Sequence, residues 1–172
     1  MPKRAAAQGP RPSRAARVAV VTARWNEEIT KKLASAAVAT AQGAGASVDS
    51  FTVAGSFELP AAVAALADTG RYDAVVPIGC LIRGETPHFE VLANAVAYGL
   101  MELSLTYPAA IPFGVLTCDT VAQAKARAGG REGNKGSEWM DAALGMVALR
   151  QSLSSQRRTA RTASRAAARS TS

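Results

Sequence analysis

Ala74-Val75-Val76-Pro77-Ile78-Gly79 is the stretch that decides the fold. Its apolar residues are consecutive rather than alternating, the pattern of a strand covered on both faces. Pro77 is an unwelcome residue for a central ladder position, because it has no N–H to donate. Upstream, Val18-Ala19-Val20-Val21-Thr22 is a second, β-branched run of this kind, and Ser47 to Val53 and Pro112 to Thr117 complete a set of four. Helical patterns fill the intervals. Glu27 to Gln42 places Ile29, Leu33, Ala37 and Val38 on one face and stops at Gly43, and Leu59 to Ala67 stops before Gly70. Pro87 to Leu105 predicts a long helix, and about Thr120 to Ala128 and Lys135 to Leu149 two more. Strands alternating with helices predict a four-stranded parallel sheet in an open three-layer α/β/α sandwich. Such sheets bind ligands beyond the carboxyl ends of their strands, so attention falls on the segments after Val21, Val53, Gly79 and Thr117.

Composition supports one domain and excludes several classes. The chain has 172 residues, 48% of them hydrophobic but only 5% aromatic, so the core must be built from Ala, Val and Leu. Cys80 and Cys118 both sit in apolar runs and read as buried thiols rather than a disulfide, and no metal-ligand spacing is present. No apolar run approaches the roughly 20 residues needed to span a bilayer. The basic N-terminus is not followed by the hydrophobic segment of a secretory signal, which leaves the cytoplasm as the expected location.

The formal charge of +7 divides unevenly. Residues 1–17 hold five cations and residues 150–172 six, neither with an acid, which leaves nine basic against thirteen acidic residues between Val18 and Leu149. The body is mildly acidic and the tails are basic. Rich in Ala, Arg, Ser and Thr, residues 1–14 and 155–172 are expected to be disordered around a folded domain at 15–154, although Arg157 to Arg169 could become helical on a partner. Eleven tail cations keep nucleic-acid binding open as a rival function, but no aromatic interleaving or binding motif accompanies them, and solubility is the favoured role.

The strand ends carry the candidate chemistry. Arg83-Gly84-Glu85-Thr86-Pro87-His88 follows the third strand and places the chain's single histidine in the first turn of a helix, with Thr86 as the expected N-cap and Pro87 at the first helical position. Free N–H groups there attract an anion, and the same positive end leaves His88 a candidate proton acceptor. Trp25, after the first strand, either stacks on a flat ring or caps the core. Gly55-Ser56-Phe57-Glu58-Leu59-Pro60 follows the second strand, where Glu58 is a carboxylate in apolar company that needs a partner or a ligand, or is simply a helix-start acid. The glycine-rich turn from Lys125 to Gly136 offers Arg127 and Lys135 to a phosphate, although basic residues at a helix C-terminus are usually solvated. There is no Walker A motif, no G-x-G-x-x-G and no nucleophile elbow, which removes positive support for nucleotide hydrolysis, hydride transfer and serine acyl transfer.

Four segments together, Gly55 to Pro60, Ile82 to Phe89, Phe113 to Thr117 and Gly133 to Gly136, resemble the lumazine synthase family over about Val18 to Leu149. The resemblance implies a flavodoxin-like fold and a transferase of riboflavin biosynthesis. That enzyme condenses 5-amino-6-(D-ribitylamino)uracil with 3,4-dihydroxy-2-butanone 4-phosphate to 6,7-dimethyl-8-ribityllumazine, releasing phosphate and water. It implies no cofactor and no metal. Trp25, Ser56, Phe57, Glu58, Cys80, Leu81, Ile82, Phe113 and Lys135 fall on the ribitylaminouracil site. Glu85, Thr86 and Arg127 fall on the butanone phosphate site, and His88 on the general acid/base. Pro77, Cys80 and Cys118 depart from the residues usual at their positions. The family's sites are shared between subunits, so a homopentamer is implied. The short turn from Ala128 to Lys135, with Gly133-Asn134, leans toward an icosahedral shell of sixty subunits. Riboflavin synthase is a candidate partner. A flavodoxin-like module that binds a flavin without catalysis is a further rival, against which His88, Arg127 and Lys135 speak.

Overall fold

The computed structural model describes residues 10–170. Four parallel strands, β1 (Arg17–Ala23), β2 (Ser47–Val53), β3 (Ala74–Ile82) and β4 (Val115–Cys118), form one sheet in the order β2-β1-β3-β4. Between them run α1 (Glu27–Gly43), α2 (Leu59–Asp68), preceded by a 3-10 turn at Ser56–Glu58, and α3 (His88–Thr106). After β4 come α4 (Val121–Arg127), a small antiparallel hairpin of β5 (Ala128–Gly130) and β6 (Gly133–Asn134), and α5 (Lys135–Ser170).

Helices cover both faces, as the unbroken apolar strands require. Val18, Val20, Val76 and Ile78 point to one face and pack with Leu33 and Ala37 of α1 and Met140 and Leu144 of α5. Ala19, Val21 and Val75 point to the other and pack with Leu59 and Val63 of α2 and Val96 and Leu100 of α3. The shortage of aromatics is met by close approach of backbones. A Cβ at Gly136 would lie 2.0 Å from the Leu33 carbonyl oxygen, so α5 rests directly on α1. Truncating Leu33, which is wholly buried, to alanine removes about 2–5 kcal/mol of stability.

Pro77 sits inside the sheet with the loss of one ladder bond. Val75 N–H donates to Ala110 O and Gly79 N–H to Gly114 O, each at 2.9 Å, so the rung between them would pair residue 77 with residue 112. Both are prolines. Pro77 has no N–H to give to the Pro112 carbonyl, so that rung is missing, and regular pairing with β4 resumes only at Gly79 and Val115. That is why β4 starts at Val115 and not at Pro112, where the sequence pattern places it.

Three other expectations change. Helix α3 begins at His88 with Pro87 in the N-cap position, so Thr86 does not cap it and no side chain does. The N-terminal segment is tied to the body from Arg11 onward: Arg11 pairs with Asp141 at 3.5 Å, Ser13 N–H donates to Gln151 Oε1 at 2.8 Å, and Arg14 Nη1 to Asp73 Oδ2 at 3.2 Å. Helix α5 runs past residue 155, where composition predicts disorder, to Ser170. Alanine and arginine are strong helix formers, and extending a helix already packed on the core needs no new nucleus. The expected N-terminal tail falls outside the described residues at 1–9, as do residues 171–172. Among the described residues no helix is long and apolar enough to cross a membrane.

Candidate active site

The carboxyl ends of β1, β2 and β3 open onto a cavity of about 640 Å³. Its floor is backbone held by cross-strand bonds. Arg24 N–H donates to Val53 O at 3.0 Å and Trp25 N–H to Ala54 O at 3.2 Å, which join the loops after β1 and β2. Asn26 adopts the left-handed conformation (φ 59°), uncommon outside glycine and tolerated by asparagine, and opens α1. Its amide Nδ2 donates to Cys80 O at 2.9 Å, tying the start of α1 to the end of β3. Sequence reasoning missed Asn26; the asparagine just before a helix was the available signal.

The segment after β2 supplies one wall. Glu58 finds the partner its setting demands in the backbone: Gly55 N–H donates to Glu58 Oε2 at 2.8 Å, closing the 3-10 turn. Phe57 stands 62% exposed at the rim, and Trp25, 72% exposed, lines the same cavity, so the ring is presented to the ligand space rather than capping the core. Ser56 is buried with its Oγ unpartnered, and a Cβ on Gly79 would lie 2.7 Å from that oxygen. A bare glycine in β3 is therefore what lets the turn lie on the sheet.

Cys80, Leu81 and Ile82 at the end of β3 form the opposite wall. Burial pushes the Cys80 thiol up to about 12, so it is no nucleophile; its contribution is shape and its carbonyl. Cys118 is also a free, buried thiol. His88, exposed at the first residue of α3, closes the mouth together with Val91, Leu92 and Ala95, a helical face that sequence reasoning did not assign to the site.

Five expected residues stand apart from this cavity in the single chain. Glu85 and Thr86 lie in the exposed loop before α3. Arg127 ends α4, half-buried, with Nη1 donating to Gln123 O at 3.0 Å. Lys135 pairs with Glu138 at the start of α5, and Phe113 is 45% exposed on the segment leading into β4. Among the described residues no cluster of His, Cys, Asp and Glu could hold a metal ion.

A cavity at the carboxyl ends of an open parallel sheet, with a histidine at a helix start, defines an α/β protein with the layout of a small-molecule site. Residues 15–151 match the family model for 6,7-dimethyl-8-ribityllumazine synthase. Relatives bearing that name include those of Methylobacterium radiotolerans, 46% identical over 79% of this chain and 83% of its own length, and Gemmatimonas aurantiaca, 45% identical over 77% and 83%. Another, from Corynebacterium urealyticum, is 48% identical over 78% of this chain and 85% of its own length. The chain belongs to the 6,7-dimethyl-8-ribityllumazine synthase family.

Proposed function

We propose that the protein condenses 5-amino-6-(D-ribitylamino)uracil with 3,4-dihydroxy-2-butanone 4-phosphate to give 6,7-dimethyl-8-ribityllumazine, phosphate and water. The observation that carries the reading is the convergence of Trp25, Ser56 to Glu58, Cys80 to Ile82 and His88 on one cavity in a chain of this family. The pyrimidine stacks on Trp25, its edge meets backbone groups of residues 80–82, and the ribityl chain lies along Ser56 to Glu58. The phosphate of the second substrate sits by Glu85 and Thr86 at the start of α3, where unbonded N–H groups favour an anion, with Arg127 as its cation.

The substrate amine attacks the ketone, and loss of water leaves an imine. His88 takes the proton from the carbinol carbon beside the imine as phosphate departs from the terminal carbon, and the resulting enol becomes a ketone. The ribitylamino nitrogen then attacks that carbonyl, and loss of another water closes the ring. Holding two substrates together supplies much of the acceleration in such a condensation, so placement outweighs proton transfer.

The same reading includes a homo-oligomer with shared sites. Phe113 and Lys135 lie away from the cavity of their own chain, which suits residues that complete a neighbour's site. Tyr98, Met101 and Leu105 of α3 are 77%, 60% and 80% exposed, an apolar row that suits burial against a second copy. A pentamer is the proposed unit, the sixty-subunit shell its larger form, and the cytoplasm the proposed location. Mixing the protein with both substrates and following lumazine absorbance tests the activity; no acceleration over the spontaneous reaction sinks it. Light scattering on the same sample reads the assembly.

A further inference from the structure

Helix α5 is longer than its packing requires. Its last core residues are Val147 and Ala148, and residues 152–157 are exposed, yet the helix continues to Ser170. At about 1.5 Å per residue, the part beyond Gln151 extends for roughly 30 Å. Its hydroxyls serve the helix itself: Ser154 Oγ donates to Arg150 O at 2.9 Å and Thr159 Oγ1 to Ser155 O at 3.2 Å.

Composition assigns this segment a solubilising role, for which no particular phase is needed. The helix gives it one. With about 3.6 residues per turn, positions 150, 157, 158, 161, 165 and 169 fall within roughly one third of the circumference, and all six are arginine. Neither lysine nor an acid occurs from Arg150 to Ser172. Arg150, at the base of this face, donates to Pro108 O and ties it to the body, while Arg157 is exposed. Positions 157, 161, 165 and 169 follow one another at intervals of four residues, so like charges repel from turn to turn. A line of anions relieves that repulsion. We propose that the arginine face of α5 binds the phosphodiester backbone of a nucleic acid without reading its sequence. Guanidinium groups match phosphate oxygens two at a time, and backbone contact requires no base-reading aromatic. The rest of the segment decides between anionic partners. Beyond Leu153 the chain holds only Ala, Ser, Thr and Gln besides arginine, so it has no large apolar residue to enter a bilayer or to anchor in a protein pocket.

This binding adds to the activity proposed above and does not depend on it. The test is fluorescence anisotropy of a labelled DNA duplex of about 20 base pairs, titrated with the full chain at several salt concentrations. Binding is expected with a dissociation constant on the order of 1–100 μM at physiological salt, its logarithmic salt slope about −4 for five arginines. The triple variant Arg157→Gln/Arg161→Gln/Arg165→Gln should weaken binding roughly tenfold or more and flatten the slope by about 3, with melting and turnover unchanged. A second variant keeps charge and composition but moves two arginines off the face: Arg161→Ala with Ala163→Arg, and Arg165→Ala with Ala167→Arg. It should bind several-fold more weakly than the wild type. Absence of binding by the wild type up to about 100 μM, or an unweakened triple variant, overturns the proposal. Equal affinity in the rearranged variant removes the face and leaves only unordered charge, which also overturns it. Tighter binding to vesicles of phosphatidylserine and phosphatidylcholine than to the duplex overturns it in favour of a membrane.

Discussion

The two ends of the sheet each carry a cleft of nearly the same size, about 630 Å³ at the amino ends of the strands and about 640 Å³ at the carboxyl ends. Volume does not tell them apart; the state of their polar groups does. At the amino end Arg14 is bound to Asp73, Arg17 N–H donates to the same carboxylate at 2.9 Å, Arg150 donates to Pro108 O, and Gln151 Oε1 takes both Ser13 donors. The cleft is a knot of side chains satisfying one another, with the Gln151 amide nitrogen left over. At the carboxyl end the polar side chains that hold the loops, Asn26 and Glu58, bond to backbone, while Trp25, Phe57 and His88 line the cavity. The polar groups of the amino end tie the fold together, and those of the carboxyl end leave a cavity open.

Four measurements can break or sharpen that contrast. The largest effect is chemical: with the Cys80 thiol raised to about 12 by burial, native protein at pH 8 should alkylate about three orders of magnitude more slowly than unfolded chain. The same shift has a thermodynamic sign. Unfolded cysteine loses its proton near pH 9 while the native thiol keeps it, so this group lowers stability as pH rises from about 9 toward about 12. Fast labelling of the folded protein by iodoacetamide would show an open wall at β3. Next, His88→Ala should slow turnover about 10²-fold with melting unchanged, the usual size of a proton-transfer contribution; complete loss with substrate binding intact gives His88 a larger role than placement allows. At the other end, Asp73→Asn should cost about 1–2 kcal/mol by denaturant titration and leave the KM values of the folded enzyme unaltered. A changed KM there would erase the division of labour. The smallest effect belongs to Ser56→Ala, which removes a buried, unpartnered hydroxyl. Stability should stay within about 0.5 kcal/mol or rise, while KM for the ribityl substrate increases a few-fold.

The sheet was legible because β1 and β3 are runs of consecutive apolar residues, and the more polar β2 still matches its expected span from Ser47 to Val53. The β5–β6 hairpin was not legible: Ala128-Gly129-Gly130 has no apolar alternation, and it pairs only because Gly129 and Gly133 take positive φ. Site residues next to a strand end, such as Trp25, Ser56 and His88, could be found by following each strand to its carboxyl terminus. The contacts of Asn26 and Arg83 could not be read that way, because they depend on Cys80, Asp119 and Glu90, partners brought near by the fold.

Local chemistry along the chain determined the alternation of strands and helices, the two-sided core and the loops that bear the polar residues, since each depends on hydrophobic period and glycine or proline placement over a few neighbours. Only the tertiary structure decided that the ladder bond Pro77 cannot make falls opposite Pro112, that Glu58 satisfies itself on Gly55, and that Arg83 joins the first turn of α3 to Asp119 after β4. Those outcomes depend on distances between segments tens of residues apart. No window of sequence contains such distances, and sheet order and helix packing impose them.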